Sequence, residues 1–196
     1  EKKRSLCLAT INRGGWEDVS AVKCFPHGDL LAAGDGYGVV RVWDTKTGEC
    51  QFSGQVHRDG VLCIAISPDG RSIASGGMDG IVQLWGNERI TTIEGSLGLG
   101  FGVPWVNSLA WSPDGKQLAY GNPDHTIRIW DVEVGGCVAE LRGHKRDVKC
   151  VDWSPDGQVL ASGSDDMTIR LWDVKSAECL SVLKGDGGGV QDLAFS

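Results

Sequence analysis

The stretch GHKRDVKCVDWSPDGQVLASGSDDMTIRLWDVKSAECLSVLKG, Gly143 to Gly185, decides the architecture. Apolar residues at Val148, Cys150, Val151 and Trp153 predict a first strand buried on at least one face. Ser154-Pro155-Asp156-Gly157 then supplies turn chemistry, because Pro fixes φ, Asp bonds locally and Gly accepts a positive φ. Val159 to Gly163 reads as a second strand and Ser164-Asp165-Asp166 as another tight turn. Ile169, Leu171 and Trp172 mark a third strand, and Cys179 to Leu183 a fourth. The stretch offers four short antiparallel strands and no convincing helix.

Working outward, Trp43, Trp85, Trp130 and Trp172 are separated by 42, 45 and 42 residues. Pro26, Pro68, Pro113 and Pro155 keep the same separations, each 17 residues before its Trp. Two landmarks holding one phase through four copies establish a tandem repeat. Such a sheet is apolar on both faces, so one unit cannot hide its own surface. Stacked units can, and a ring hides the end faces as well. With WD at Trp43-Asp44, Trp130-Asp131 and Trp172-Asp173, GH at Gly143-His144 and SPDG at three of four turns, the chain resembles the WD-repeat β-propeller family. The resemblance covers essentially the whole chain; it implies an all-β propeller and says little about function.

The repeat phase predicts four complete four-stranded blades, at about 19–53, 61–94, 106–141 and 148–183. It also predicts an orphan strand at each end: a strand of a preceding blade at 6–11 and the first strand of a next blade at 190–196. Propellers of this family usually close with about seven blades, within a range of roughly four to eight. An open arc of four would leave Leu, Ile and Val uncovered, at about 1.5–3 kcal/mol each. The expectation is a segment of a larger ring, or open edges covered by self-association or complementary blades, ahead of a compact four-bladed ring.

Composition narrows the function classes. The chain has 196 residues, 41% apolar, and a net charge of −7, which suits a cored domain and disfavours non-specific attraction to nucleic acid or anionic lipid. No apolar run approaches the ~18 residues of a membrane span, and the opening EKKRSLCLATINRGG lacks a cleavage-site pattern, so no secretory signal is expected. Seven Cys is an odd number and none lies in a CxxC pair, which speaks against a zinc site or a disulfide framework. Cys50, Cys137 and Cys179 each follow a Trp by seven residues, and Cys63 and Cys150 each precede a Pro by five, as small apolar residues at recurrent strand positions. The expected setting is intracellular, cytoplasmic or nuclear, without membrane, metal or cofactor. The expected partners are other proteins or peptides rather than nucleic acid.

The resemblance further implies a buried hydrogen-bond network in the fourth repeat, made by His144, Asp166, Ser162 and Trp172. The second repeat carries His57, Asp79, Ser75 and Trp85 in the same phase, although Val56 replaces the Gly before His57. In it Asp accepts from the imidazole, the imidazole serves Ser, and the Trp N–H ends the chain. A hydrolase reading of Ser, His and Asp fails: the Ser lies inside a strand, no G-x-S-x-G occurs, and a catalytic set would not recur. No catalytic residue is expected. The first repeat instead holds Gly15, Tyr37, Ala33 and Trp43, and the third Gly102, Asp124, Tyr120 and Trp130. These copies have either drifted or released their loops for a partner. Arg41, Arg128 and Arg170, each two residues before a Trp, read as solvated strand positions rather than a phosphate stripe.

The 45-residue spacing conceals a turn three residues shorter before one fourth strand and a following loop six residues longer. That loop, SLGLGFGVPW from Ser96 to Trp105, is apolar and glycine-rich, and no Lys or strand-to-helix context makes GLGFG a phosphate loop. Leu97, Leu99, Phe101 and Trp105 form either an exposed patch or a plug over a neighbour. Trp16 and Trp105 alone among the tryptophans stand off the repeat positions, and both belong to GH-type loops. The expected function is a non-catalytic protein-interaction scaffold, with Trp16, Tyr37, Phe101 and Trp105 as partner-binding residues. Two other readings stay open. One is a ubiquitin-ligase substrate receptor, from the loose likeness of Trp43-Asp44-Thr45-Lys46 and Trp172-Asp173-Val174-Lys175 to a WDxR-type box; the other is a structural blade set within a large complex.

Overall fold

A computed structural model describes residues 18–86, 89–94, 105–185 and 187–195. Four antiparallel sheets follow one another along the chain, each a meander in sequence order. The first contains β1 (Val19–Cys24), β2 (Leu30–Asp35), β3 (Val39–Asp44) and β4 (Cys50–Gln55). The second contains β5 (Val61–Ile66), β6 (Ser72–Gly77), β7 (Ile81–Gly86) and β8 (Arg89–Glu94). The third contains β9 (Ser108–Trp111), β10 (Gln117–Gly121), β11 (Thr126–Asp131) and β12 (Gly136–Arg142). The fourth contains β13 (Val148–Trp153), β14 (Val159–Ser164), β15 (Thr168–Asp173) and β16 (Cys179–Lys184). Among the described residues there is no helix, so none that is long and apolar enough to cross a membrane.

Each hairpin is fixed by its own turn residues. In the second sheet Ser67 Oγ donates to Asp69 Oδ1 at 2.6 Å and accepts from Ser72 N at 2.9 Å, with Gly70 at φ +71°. Ser112–Asp114 and Ser154–Asp156 repeat this arrangement at the same 2.6 Å. The Ser hydroxyls, followed by backbone N–H groups, hold Asp69, Asp114 and Asp156 below the usual carboxylate range. The Asp of each WD pair caps the third-to-fourth strand turn. Asp44 accepts from Lys46 N and Thr47 N, both at 2.8 Å, and Asp131 from Glu133 N and Val134 N at 2.9 and 2.8 Å.

Packing between sheets depends on small residues in the second strands. Ala32, Ala74, Ala119 and Ala161 are buried there, and each is followed two residues later by Gly34, Gly76, Gly121 or Gly163. A methyl added to Gly34 would stand 2.5 Å from Val61 Cγ1 of the next sheet. Gly76 faces Val106 at 2.5 Å in the same sense, Gly121 faces Val148 at 2.7 Å, and Gly163 faces Val190 at 2.5 Å. Each glycine is therefore a notch into which the next unit seats a valine. The valine carbonyl is capped from the sheet before it: Ser20 Oγ donates to Val61 O, Cys63 Sγ to Val106 O at 3.3 Å, Asn107 Nδ2 to Val148 O at 3.1 Å, and Cys150 Sγ to Val190 O at 3.8 Å. Cys63 and Cys150 are thus junction donors as well as strand fillers. Burial pushes the Cys63 thiol up to about 12 and the Cys150 thiol to about 11, which keeps both unreactive.

Three of the recurring indoles sit between described sheets. Trp85 packs at the first junction, Trp130 at the second and Trp172 at the third. The first strands β1, β5, β9 and β13 run side by side and line a common cavity of about 630 Å³. The stack does not close on itself. Ile127, Ile129 and Leu141 of the third sheet are 0% exposed beneath the fourth, whereas Ile169 and Leu171 are only half-buried and Leu183 is 50% exposed. Residues 190–195 correct one expectation: Val190 takes the junction place, with its N–H bonded to Ser164 O at 3.0 Å, but no strand forms there. A first strand needs a second strand to complete its ladder, and none pairs with this segment among the described residues. The orphan strand expected at 6–11 lies outside the described residues.

Gly34→Ala should cost about 1–3 kcal/mol, the usual scale for overpacking, read from the urea midpoint. Combined with Val61→Ala it should cost less than the two single changes together, because the shortened valine makes room for the new methyl; strict additivity would show that the two residues do not share a notch.

Candidate interaction face

In a four-stranded meander the second-to-third strand turns and the loops between sheets fall on one side of the stack, and the remaining turns on the other. His144, Asp166, Tyr37 and Trp105 all belong to the first side. There, His144 Nδ1 lies 2.9 Å from Asp166 Oδ2, His144 Nε2 is 2.7 Å from Ser162 Oγ, and Trp172 Nε1 donates to Ser162 Oγ at 2.8 Å. Asp166 also accepts from Lys145 N at 2.9 Å and Thr168 Oγ1 at 2.6 Å. One proton order satisfies every contact. In it Trp172 donates to Ser162, Ser162 donates to Nε2, and Nδ1–H donates to the carboxylate, an order that a neutral imidazole provides.

The electrostatics agree with that order. Burial lowers the His144 pKa from the ordinary 6.5 despite the neighbouring Asp166, and the Arg170 charge adds to the effect. For Asp166, burial raises the carboxyl pKa, but the hydrogen bonds from Thr168, Lys145 N and His144 outweigh it and hold the group far below the usual range. The buried Ser162, at 0% exposure, has no open approach for a substrate, and the set ties the loop at Lys145 to the turn at Asp166.

The second sheet builds only part of this network. His57 Nδ1 is 3.0 Å from Asp79 Oδ1, His57 Nε2 is 2.7 Å from Ser75 Oγ, and Arg58 N donates to Asp79 Oδ2 at 2.9 Å. Trp85 does not join: its Nε1 is buried without a hydrogen-bond partner. Its ring packs on Phe52 of β4 instead, with centroids 5.7 Å apart; at the corresponding junction beside Trp172 the residue is Ala139.

The sheets without a His–Ser pair close the same turn with arginine. Arg41 Nη1 donates to the buried Asp35 at 3.0 Å, and Asp35 also accepts from Tyr37 N and Val39 N, both at 3.0 Å. Arg128 pairs with Asp124 at 2.9 Å and approaches Glu140 at 3.7 Å. Reading these arginines as merely solvated is therefore corrected, since their side chains are 27% and 19% exposed and ion-paired. The signal was present as an Asp four or six residues before each Arg, on the same turn. In the third sheet Tyr120 is buried where Ser would stand, its phenol pushed up to about 12 by burial, and Trp130 Nε1 has no partner.

Of the four residues expected to meet a partner, Tyr37 is 54% exposed and Trp105 39% exposed. Trp16 and Phe101 lie outside the described residues, as do Leu97 and Leu99. Lys46 of the first WDxK stretch is ion-paired with Asp29 at 2.8 Å, and Lys175 of the second borders a groove of about 640 Å³ between the third and fourth sheets. Among the described residues no group of three His, Cys, Asp or Glu side chains is placed to hold a metal ion.

Ser162→Ala should destabilise the protein by about 1 kcal/mol more than Ser75→Ala, a gap of about 2–4 °C in Tm, because only Ser162 satisfies a buried indole N–H. Acidification should also weaken the fold. Just below the ordinary His value of 6.5 the unfolded chain takes a proton at this residue that the folded chain refuses, so stability falls as pH drops toward the lowered folded value. Thermal melts at pH 7.5 and pH 5.5 should show this drop, and His144→Gln should shrink it; an unchanged drop would place the proton-linked group elsewhere.

Comparison with known proteins agrees with the architecture. The family described as "WD domain, G-beta repeat" matches residues 5–44, 48–86, 90–131 and 135–173. Each of the last three matched units runs from the fourth strand of one sheet through the third strand of the next, so the repeat itself crosses a junction. Among similar proteins, nuclear distribution protein PAC1 of Coccidioides posadasii (strain C735) is 39% identical over 34% of this chain and 16% of its own length. Serine-threonine kinase receptor-associated protein of Dictyostelium discoideum is 37% identical over 35% of this chain and 23% of its own length. Cilia- and flagella-associated protein 52 of Chlamydomonas reinhardtii is 27% identical over 44% and 14%, respectively. The matches thus span less than a quarter of each relative. With four matched repeats and four sheets in one phase, the chain belongs to the WD-repeat family.

Proposed function

We propose that this chain is a non-catalytic scaffold for protein–protein interaction, docking a partner on the face that carries the second-to-third strand turns. One observation carries this reading: Tyr37 and Trp105, two large aromatics, are 54% and 39% exposed on the same face of the stack. Aromatic side chains at exposed positions supply much of the binding energy in protein interfaces. WD-repeat proteins are in general interaction scaffolds, and the relatives' names span unlike roles, which suits a shared platform with variable surfaces. An intracellular setting fits the six described cysteines, all unpaired. The ubiquitin-ligase reading gains nothing from Lys46, which is committed to Asp29.

A second, architectural reading is favoured by one observation, the half-covered Ile169, Leu171 and Leu183. A further β-sheet laid on the fourth would bury them as the fourth sheet buries Ile127, Ile129 and Leu141.

A photo-crosslinking amino acid placed in cells at position 37 or 105 should give discrete protein adducts, and the same group at Val134, 75% exposed on the opposite side, should not. Tyr37→Ala with Trp105→Ala should weaken capture of the crosslinked protein about tenfold or more without lowering Tm. Equal adducts at all three positions would remove the proposed face.

A further inference from the structure

The arginine two residues before the third-strand Trp has different company in each sheet that carries one. Arg41 has Asp35, and Arg128 has Asp124 and Glu140. In the fourth sheet every one of those carboxylates is missing or engaged. The position of Asp35 holds Ser164, and that of Glu140, directly across the ladder from the arginine, holds Val182. The position of Asp124 holds Asp166, already occupied by His144, Thr168 and Lys145 N. Arg170 consequently makes no ion pair among the described residues, and its Nε is buried without a partner. Its guanidinium carbon lies over the Trp172 ring, 5.8 Å from the centroid, and its contact with Cys179 Sγ, at 3.7 Å, leaves donors of the fork unused among the described residues.

This guanidinium opens onto a cavity of about 380 Å³ lined also by Lys145, Met167, Thr168, Val182 and Lys184. Lys145 and Lys184 are exposed and make no ion pair among the described residues. Met167 and Val182 are 48% and 44% exposed and give the cavity an apolar wall. On a chain of net charge −7, three cations converge here around a single carboxylate that is already satisfied. We infer that this cavity is a binding site for an anionic side chain of a partner polypeptide, a carboxylate or a phosphate ester, held by the Arg170 fork between Lys145 and Lys184 with an apolar neighbour against Met167 and Val182. A charge-assisted contact to a carboxylate is what Arg41 and Arg128 already make within their own sheets. The site involves neither Tyr37 nor Trp105, so failure of the docking face and failure of this site are separate results.

The test uses the whole chain and fluorescence anisotropy with a fluorescein-labelled oligoglutamate peptide, its oligoglutamine counterpart as control, and inorganic phosphate as competitor. Two substitutions borrow residues that the other sheets already tolerate: Arg170→Gln copies Gln83 of β7, and Val182→Glu copies Glu140 of β12. Oligoglutamate should bind, more weakly as NaCl is raised, and oligoglutamine should not. Each substitution should reduce binding about tenfold or more, the scale of a charge-assisted hydrogen bond, while Arg128→Gln should leave it unchanged. Displacement of the peptide by phosphate would identify phosphorylated side chains as the natural group, and persistence in phosphate would identify carboxylates. Absence of binding to both probes, or binding undiminished in both Arg170→Gln and Val182→Glu, would overturn the proposal.

Discussion

The structure depends on how closely one sheet can approach the next. At each junction a glycine of the second strand leaves room for a valine at the head of the following unit, at 2.5–2.7 Å from where a methyl would stand. No larger residue fits, and the approach brings the apolar third-strand pairs, such as Val82 and Leu84, under the Trp and Leu side chains of the next sheet. The same approach places the valine carbonyl within reach of Ser20, Cys63, Asn107 or Cys150, so that a polar group buried by packing is satisfied across the junction that buries it.

With the sheets locked at this spacing, the turns above them must be closed, and the chain does so in two ways. Sheets two and four join the incoming loop to the turn through His and Asp, with Ser beneath. Sheets one and three tie the turn to its own third strand through Arg and Asp. The first device couples two segments, whereas the second, among the described residues, links a turn to its own strand. Sheet four contains both sets of residues; its histidine captures the aspartate and its arginine is left over. A spare cation in a half-buried position is costly unless something answers it, which makes the leftover arginine the most informative departure from the repeat.

Much of this was legible in the residues themselves. The Pro-to-Trp interval of 17 announces four meanders, and Ser-Pro-Asp-Gly fixes three of the turns by bonds confined to a few neighbours. The association of His144, Asp166, Ser162 and Trp172 is what the family resemblance implied, carried onto these positions by repeat phase. Trp85 occupies the same phase yet stands apart, because its orientation answers to Phe52 on a different sheet. The arginines were misread for a related reason: strand alternation marks a position as outward but does not reveal that an aspartate in the adjoining turn reaches it. Segment 190–195 follows the pattern of a first strand, and Val190 occupies its notch, but hydrogen-bonded pairing needs a neighbour that pattern alone does not supply.

The amino-acid order by itself determined the strand order, the turn chemistry and the number of repeated units, because each of these rests on residues held at fixed intervals along the chain; the His-centred network followed from the family resemblance placed in that phase. Only the tertiary structure decided which valine seats in which glycine, which indole finds an acceptor, and which arginine lacks a carboxylate. Those outcomes are set by side chains about forty residues apart that meet across a junction, where a single substitution, Phe for Ala or Val for Glu, redirects a contact without disturbing the repeat that brought it there.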